Sequence, residues 1–189
     1  MITIWRCMAI VAGLLVLSGG TPAREKQIVS DEAMAEIALP APKRVEDRQY
    51  LGLTDDSTFT VPQIKARVVI VQAFSMYCPH CQREAPHVNT LFKTIHDNPE
   101  LRDQIRLIGI GVGNSAFEVG VFQLKYNVPF PLFSDSDFSI HKKLGEVRTP
   151  SFFVVRNDGN GTCRVVYEIE GPFETPDTFL KAVLDRVEF

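Results

Sequence analysis

The stretch from residue 68 to residue 86 constrains the fold of this chain more than any other. Residues 68–74 are mainly β-branched or aromatic, which is the composition of a buried parallel strand, and a helical pattern begins soon after, at Cys78. Cys78 and Cys81 therefore lie at a strand-to-helix junction, where their sulfurs can form a disulfide across one helical turn. Unpaired N–H groups at a helix N-terminus stabilise a thiolate. Cys78 is thus the candidate attacking thiol, and Cys81, one turn further in and predicted to be more buried, is the candidate resolving thiol.

Two structural explanations compete with a redox role for this cysteine pair. A C-x-x-C pair can supply half of a zinc site, but a structural zinc site needs a second pair of ligands at suitable spacing, and the sequence has no second C-x-x-C. The other explanation is an inert structural disulfide. Outside the N-terminal segment, the remaining thiol and imidazole groups are Cys163, His80, His87, His96 and His141. The helix N-terminus at Cys78 favours redox chemistry over both explanations.

Length and composition indicate one globular domain. The chain has 189 residues, enough to bury a core, and 45% of them are hydrophobic and 23% charged. A net charge of −3 gives no electrostatic reason to expect binding to nucleic acid or to an anionic membrane. We predict no metal and no cofactor other than a redox-active disulfide, and we expect a monomer.

The first 23 residues have the pattern of a secretory signal peptide. Arg6 is the only charge ahead of an apolar run over residues 7–17, and small residues follow over residues 18–23. The apolar run is short for a membrane span, so cleavage is the favoured prediction, and a retained N-terminal anchor that tethers the protein to a membrane is the alternative. Either way the domain is predicted to be periplasmic or otherwise exported, in an oxidising compartment where disulfide exchange can occur.

Residues 24–48 are predicted to be a lead-in segment, and residues 49–189 the folded domain. A short helix over residues 31–37, with Ser30 as its N-cap, is expected in the lead-in. Apolar and β-prone residues on both sides of Asp55-Asp56 predict a hairpin, and residues 62–65 predict one turn of helix before the central strand.

Helices and strands are predicted to alternate after the cysteines. The expected elements are a helix to about residue 97, a strand over 105–112, a helix over 115–126, a short helix over 138–144, strands over 151–155 and 162–170, and a helix over 176–187 capped by Thr175. In the last strand, period-two alternation places Cys163, Val165, Tyr167 and Ile169 on one apolar face, which predicts a buried and inert Cys163. This order of elements predicts an α/β fold with a mixed sheet.

Several short motifs follow one another over residues 50–187. They are the strand at 69–74, Cys78-x-x-Cys81-x-x-Glu84-Ala85-Pro86, Tyr126-Asn127-Val128-Pro129-Phe130-Pro131, Thr149-Pro150-Ser151-Phe152-Phe153-Val154 and Asn157-Asp158-Gly159. Each is weak alone, but together they resemble the thioredoxin-like superfamily, specifically its TlpA/ResA-type exported thiol–disulfide oxidoreductases. The resemblance implies a thioredoxin-like fold: a central mixed β-sheet flanked by helices, with an extra helical insertion after the C-x-x-C helix and the second core strand.

The resemblance also implies roles for individual residues. Cys78 and Cys81 correspond to the redox-active disulfide of the family. Pro150 corresponds to a cis-proline that lies against this disulfide, and Thr149 to the residue that presents backbone to a bound substrate. Glu84 corresponds to an acidic residue that tunes thiol ionisation.

Three positions depart from the family pattern. Tyr77 stands where tryptophan is usual, so substrate contacts at the rim are expected to differ. Gln72 stands where many thioredoxins have a buried acid, which leaves Glu84 as the predicted proton-transfer group. The dipeptide Pro79-His80 is the one found in the oxidant DsbA, and we expect it to tune the reactivity of Cys78.

These features predict dithiol–disulfide exchange with protein substrates and with a redox-partner protein. The resemblance implies a reductant, for example in cytochrome c maturation or for other periplasmic thiols, whereas Pro79-His80 implies a DsbA-like oxidase. A peroxiredoxin-like peroxidase is a further alternative: Ser75 and Cys78 fit part of its Pro-x-x-x-Thr/Ser-x-x-Cys motif, but Val71 occupies the proline position. A non-enzymatic copper chaperone is another, because thiolates suit Cu(I), although chaperones of this fold use a longer cysteine spacing and a downstream histidine.

Overall fold

The computed structural model describes residues 29–187, so the predicted signal peptide at residues 1–23 lies outside the described residues. Two short strands, β1 (Ala38–Leu39) and β2 (Phe59–Thr60), pair antiparallel with each other. The main strands are β3 (Val68–Phe74), β4 (Ile105–Val112), β5 (Leu132–Asp135), β6 (Ser151–Asn157) and β7 (Cys163–Glu170). They form one sheet in the order β5-β4-β3-β6-β7.

Strand β3 lies at the centre of this sheet, and all seven of its residues are buried. It pairs parallel with β4 and antiparallel with β6, so that Val71 has Ile108 on one side and Phe153 on the other. Strand β5 is parallel to β4, and β7 is antiparallel to β6. The β-branched sequence of residues 68–74 therefore forms the buried strand that its composition predicts. The predicted α/β fold with a central mixed sheet is confirmed.

Helices cover the sheet and connect its strands. They are α1 (Asp31–Ala35), α2 (Val45–Leu51), α3 (Pro79–Asp97), α4 (Ala116–Tyr126), α5 (Ser139–Lys143) and α6 (Pro176–Leu184), with a 3₁₀ turn at Val61–Gln63. Helix α4 connects the parallel strands β4 and β5 and is the predicted helical insertion. Within residues 29–187, no helix has both the length and the apolar character needed to cross a bilayer.

Local capping explains where the longer helices begin. The Ser115 hydroxyl accepts from the N–H of Glu118, and the Glu118 carboxylate accepts from the N–H of Ser115, which completes a capping box at the start of α4. Thr175 caps α6 in the predicted position. Helix α3 begins at Pro79, continues through Pro86 and ends just before Asn98.

Each face of the sheet is covered by an apolar core, and the lead-in contributes to one of them. Met34, Ile37 and Leu39 are fully buried in this core. The predicted helix is present as α1, and the Ser30 hydroxyl accepts from the N–H of Ala33 at 3.1 Å. The core therefore extends N-terminal of residue 49, where the domain boundary is predicted from the sequence. The opposite core holds the buried faces of α3 and α6.

The predicted hairpin around Asp55-Asp56 is wrong. The residues before it form the end of α2, whose C-cap, Gly52, lies in the left-handed region with φ of 69°. The Asp55 carboxylate accepts from the N–H of Ser57 at 2.9 Å and closes a local turn. Strand β2 pairs with β1 instead, with Phe59 opposite Leu39. Burial of these apolar side chains against the lead-in outweighs the local hairpin signal.

The predicted single apolar face of β7 is also wrong. The pairing of β7 with β6 shifts by one residue, and Val166 is the extra residue of a β-bulge. An extra residue reverses the in–out alternation beyond it. Cys163 and Val165 therefore pack in the core that contains the lead-in, whereas Tyr167 and Ile169 pack against the opposite core.

Candidate active site

The two cysteines meet at the carboxyl end of β3, where α3 begins. Cys78 is the N-cap of α3, and its sulfur accepts a hydrogen bond from the N–H of Cys81 at 3.5 Å. The Cys78 thiol donates to the carbonyl oxygen of Thr149 at 3.1 Å. Both cysteines are free thiols; Cys78 is half-buried and Cys81 is fully buried. The difference in exposure predicted for an attacking and a resolving thiol is therefore present.

The two thiols also differ in acidity. Partial burial by itself would raise the pKa of Cys78, but hydrogen bonds that include those from the backbone of Cys81 and of His80 outweigh it, and the pKa lies below its ordinary value. Complete burial raises the pKa of Cys81 to about 12, against the opposing effect of a hydrogen bond from the Ser75 backbone. The thiolate therefore forms more readily at Cys78 than at Cys81.

A groove runs beside Cys78 and is open to solvent. The peptide bond between Thr149 and Pro150 is cis, and the Pro150 carbonyl oxygen accepts from the N–H of Gly171 at 2.7 Å. The groove is lined by His80, Arg148, Thr149, Pro150, Glu170, Gly171 and Pro172. Both the N–H and the guanidinium of Arg148 bind the Glu170 carboxylate, which fixes one rim. An extended polypeptide in this groove would lie next to the half-buried thiol.

Glu84 lies one turn beyond Cys81 on α3 and is 4% exposed. One carboxylate oxygen accepts from the N–H of Phe173 at 3.2 Å, and the other lies 3.6 Å from Nδ1 of His87. Burial raises the pKa of Glu84, and these two partners oppose the rise. Among residues 29–187, no direct hydrogen bond joins this carboxylate to either cysteine. Glu84, which is predicted to face the cysteine pair, thus makes no direct hydrogen bond to either sulfur.

The other predicted site residues surround Cys78. Tyr77 is 65% exposed, and its hydroxyl donates to Glu118 at the start of α4. Pro79 is the first residue of α3. The ring of His80 turns towards Arg83, whose guanidinium donates to Nδ1 at 3.1 Å. His80 therefore acts on the Cys78 sulfur through its backbone N–H rather than through its ring.

Two residues that no sequence motif singles out hold the loop before Cys78. Asn114 is fully buried, and its side-chain oxygen accepts from the N–H of Met76 at 2.8 Å. Gln82 donates from its side chain to the carbonyl oxygen of Met76 at 2.7 Å. Asn114 follows a strand that is parallel to β3 and adjacent to it, so the two strands end at the same edge of the sheet. The position of Asn114 just after a strand adjacent to β3 is the sequence signal that would have identified it.

Cys163 lies at the far end of the sheet from the active site. It pairs with Asn157, the last residue of β6, whereas the first residue of β6 follows Pro150. It is 3% exposed, and burial, together with Asp31 and Asp158, raises the pKa of its thiol to about 11. The prediction of a buried thiol is confirmed. In the part of the chain that the structure describes, no three His, Cys, Asp or Glu side chains form a group able to hold a metal ion.

Comparison with known proteins identifies the class that this fold and dithiol define. The chain belongs to the Redoxin family, which matches residues 38–184. It is a thioredoxin-like protein of the TlpA/ResA type and a thiol–disulfide oxidoreductase.

Individual relatives agree with this class. Thiol-disulfide oxidoreductase ResA of Bacillus cereus (strain ATCC 10987 / NRS 248) is 26% identical over 162 residues, which cover 84% of each chain. ResA of Bacillus thuringiensis subsp. konkukian (strain 97-27) is 25% identical over 163 residues, with the same coverage.

Solved structures share the fold at lower identity. A secreted Mycobacterium tuberculosis disulfide oxidoreductase homologous to E. coli DsbE has a TM-score of 0.58 and 18% identity, and the match covers 82% of this chain and 99% of that chain. StoA from Bacillus subtilis has a TM-score of 0.55 and 19% identity, with 77% and 95% covered.

Proposed function

We propose that this protein is an exported thiol–disulfide oxidoreductase that exchanges a Cys78–Cys81 dithiol for the disulfide of a protein substrate. The observation that carries the proposal is the contrast between the two thiols. Cys78 is half-buried beside an open groove and has a lowered pKa, whereas Cys81 is fully buried and its pKa is raised to about 12. One thiol can meet a partner, and the other is protected from it.

The reaction proceeds in two displacements. The Cys78 thiolate attacks one sulfur of the substrate disulfide, an S–S bond forms between them, and the other substrate sulfur leaves as a thiolate that takes up a proton. Cys81 then loses its proton and attacks the Cys78 sulfur, which releases the second substrate sulfur as a thiolate. The substrate gains two electrons and two protons, and the protein is left with a Cys78–Cys81 disulfide.

Glu84 is proposed to accept the proton of Cys81 in the second displacement. It is a buried carboxylate on the same helix, one turn from Cys81, and burial raises its pKa. The transfer would pass through a water, since the carboxylate is turned towards Phe173 and His87.

The groove is the proposed binding site for a segment of the substrate protein. Thr149 and Pro150 supply backbone next to the Cys78 sulfur, and Tyr77, the residue before Cys78, supplies an exposed ring. Pro79 and His80 are proposed to tune Cys78 through the geometry of the helix N-terminus. We further propose that residues 1–23 direct export, that the chain acts as a monomer, and that a separate redox protein restores the dithiol. One protein of the same fold is described as secreted.

Trapping of the mixed disulfide tests this mechanism. With an oxidised protein substrate such as insulin, wild-type protein should release free thiols, Cys78→Ser should release none, and Cys81→Ser should accumulate a covalent adduct visible by mass spectrometry. Cys163→Ser is the matched control and should behave as wild type. Adducts that form equally well at Cys81 in the Cys78→Ser variant would contradict the assignment of the attacking thiol.

The direction of electron flow is proposed to be reducing, as the TlpA/ResA resemblance implies. A DsbA-like oxidase is the second candidate, because hydrogen bonds at the helix N-terminus lower the pKa of Cys78 and so stabilise the reduced form. The glutathione redox equilibrium of the pair separates them. Potentials of proteins with this chemistry run from about −270 mV for thioredoxin to about −120 mV for DsbA. A value in the more negative half supports the reductant, and a value close to that of DsbA supports the oxidase.

A further inference from the structure

The segment Ser75–Tyr77 joins β3 to Cys78, and the junction between β4 and α4 holds it. Asn114 makes two of these contacts. Its side-chain oxygen accepts from the N–H of Met76 at 2.8 Å, and its side-chain nitrogen donates to the Ser75 hydroxyl at 3.3 Å. Four residues further on, Glu118 accepts from the hydroxyl of Tyr77.

Both sulfurs depend on the position of this segment. The carbonyl oxygen of Ser75 accepts from the N–H of Cys78 at 3.1 Å, which fixes the N-cap of α3. The Ser75 backbone also hydrogen-bonds the sulfur of Cys81, which burial otherwise makes less acidic. A shift of Ser75 would therefore change the surroundings of Cys78 and Cys81 together.

Asn114 is itself held rigidly. It is fully buried, its N–H donates to the carbonyl oxygen of Gly111 at 3.1 Å, and its own carbonyl oxygen accepts from the Ser134 hydroxyl at 2.8 Å. The site requires an acceptor for Met76 and a donor for Ser75 on one short side chain. Asparagine supplies both, whereas aspartate lacks the donor and alanine lacks both.

We propose that Asn114 is a positioning residue for the dithiol: it fixes the Ser75–Tyr77 segment to the end of β4 and so sets the geometry of both sulfurs. This inference rests on the proposed function, since the geometry matters because Cys78 attacks and Cys81 resolves. Without Asn114 the segment loses two of the contacts that fix its position, and the N–H groups at the start of α3 stabilise the Cys78 thiolate less well. The ionisation constant of Cys78 should then fall, and the reduction potential should become more negative.

The test compares three variants with wild type. Asn114→Ala removes both side-chain contacts, and Ser75→Ala removes only the 3.3 Å contact. Asn157→Ala is the matched control: the Asn157 side chain also makes two hydrogen bonds, here to the backbone carbonyls of Ile64 and Ala66, but lies at the far end of β6. The Cys78 ionisation is measured from the pH dependence of alkylation of reduced protein, and the potential from the glutathione equilibrium. Unfolding free energies are measured in parallel.

We expect Asn114→Ala, which removes both contacts to the segment, to lower the ionisation constant of Cys78 about tenfold, which corresponds to roughly one pKa unit. Ser75→Ala removes only the longer of the two contacts and should lower the ionisation constant by less, about threefold. Asn157→Ala should lose stability with no change in ionisation or potential. An Asn114→Ala variant that is less stable but has the wild-type ionisation and potential would overturn the proposal, because a purely structural role predicts that result.

Ser75→Ala decides the question if Asn114→Ala does not fold, and a wild-type ionisation constant in that variant overturns the proposal. The ionisation is read on the protein alone, without substrate. Failure of wild type to reduce a protein disulfide would therefore refute the proposed function while leaving the Asn114 measurement interpretable.

Discussion

The strongest consequence of the site is a large difference in reactivity between two cysteines that are three residues apart. The pKa of Cys78 lies below its ordinary value of 9.0, so at about pH 7 its thiolate fraction exceeds roughly 1%. With a pKa of about 12, Cys81 is a thiolate in only about one molecule in 10⁵ at that pH. The two thiolate populations thus differ by more than about 1,000-fold.

Intrinsic nucleophilicity reduces this difference without removing it. The less acidic thiolate is the stronger nucleophile, and a Brønsted coefficient of about 0.4–0.5 over three pKa units raises the reactivity of the Cys81 thiolate by up to roughly 30-fold. The net preference for Cys78 is therefore at least about 30-fold. Cys81 is also fully buried, which adds to the preference.

Timed alkylation of the fully reduced protein measures this preference. Iodoacetamide is added at neutral pH, the reaction is stopped at intervals, and peptide mass spectrometry follows each cysteine separately. Cys163, which is also buried and has a pKa raised to about 11, provides an internal reference and should react slowly. The rate at Cys78 should rise with pH and reach a plateau above the pKa of its thiol. Labelling of Cys78 and Cys81 at rates within a few-fold of each other would refute the assignment.

Three further predictions concern single substitutions. Burial raises the pKa of Glu84, so its contribution to stability is present at acidic pH and is lost as the pH rises through the folded-state pKa. Glu84→Gln should therefore raise the unfolding free energy relative to wild type more at about pH 7 than at about pH 4. An equal change at both pH values in urea titrations would contradict this. Cys163→Ala should keep the disulfide-exchange rate of wild type and lose about 1 kcal/mol of stability, and a loss of exchange in the folded variant would show that a third thiol takes part. Met34→Ala should lose about 2–5 kcal/mol in the same titrations, because Met34 is fully buried, and a loss below about 0.5 kcal/mol would show that the lead-in is dispensable.

Two buried side chains, Gln72 on β3 and Glu84 on α3, differ in whether they can accept a proton. Gln72 is 4% exposed on β3 and cannot take up a proton, and Glu84 is equally buried on α3. The sequence predicts that Glu84 serves the cysteines, but it does not show that the carboxylate also binds the N–H of Phe173, which lies beyond the end of β7. That contact joins residues 89 positions apart, which no local pattern reports.

The sequence by itself determined those features that depend on neighbouring residues. The β-branched run at residues 68–74 and the cysteine pair specify a buried strand that leads into a helix, and both form as predicted. Ser115 and Thr175 cap the helices that they precede, because a capping hydroxyl bonds an N–H only a few residues away.

Tertiary structure decided the features that depend on contacts between distant segments. The bulge at Val166 changes which face of β7 is buried, and it follows from the register with β6 rather than from the alternation of apolar residues. The pairing of Phe59 with Leu39 replaces the predicted hairpin because both side chains are buried in one core. Asn114 reaches Met76 across 38 positions because two parallel strands end side by side. In each case the free energy comes from burial or hydrogen bonding to a partner that the local sequence does not contain.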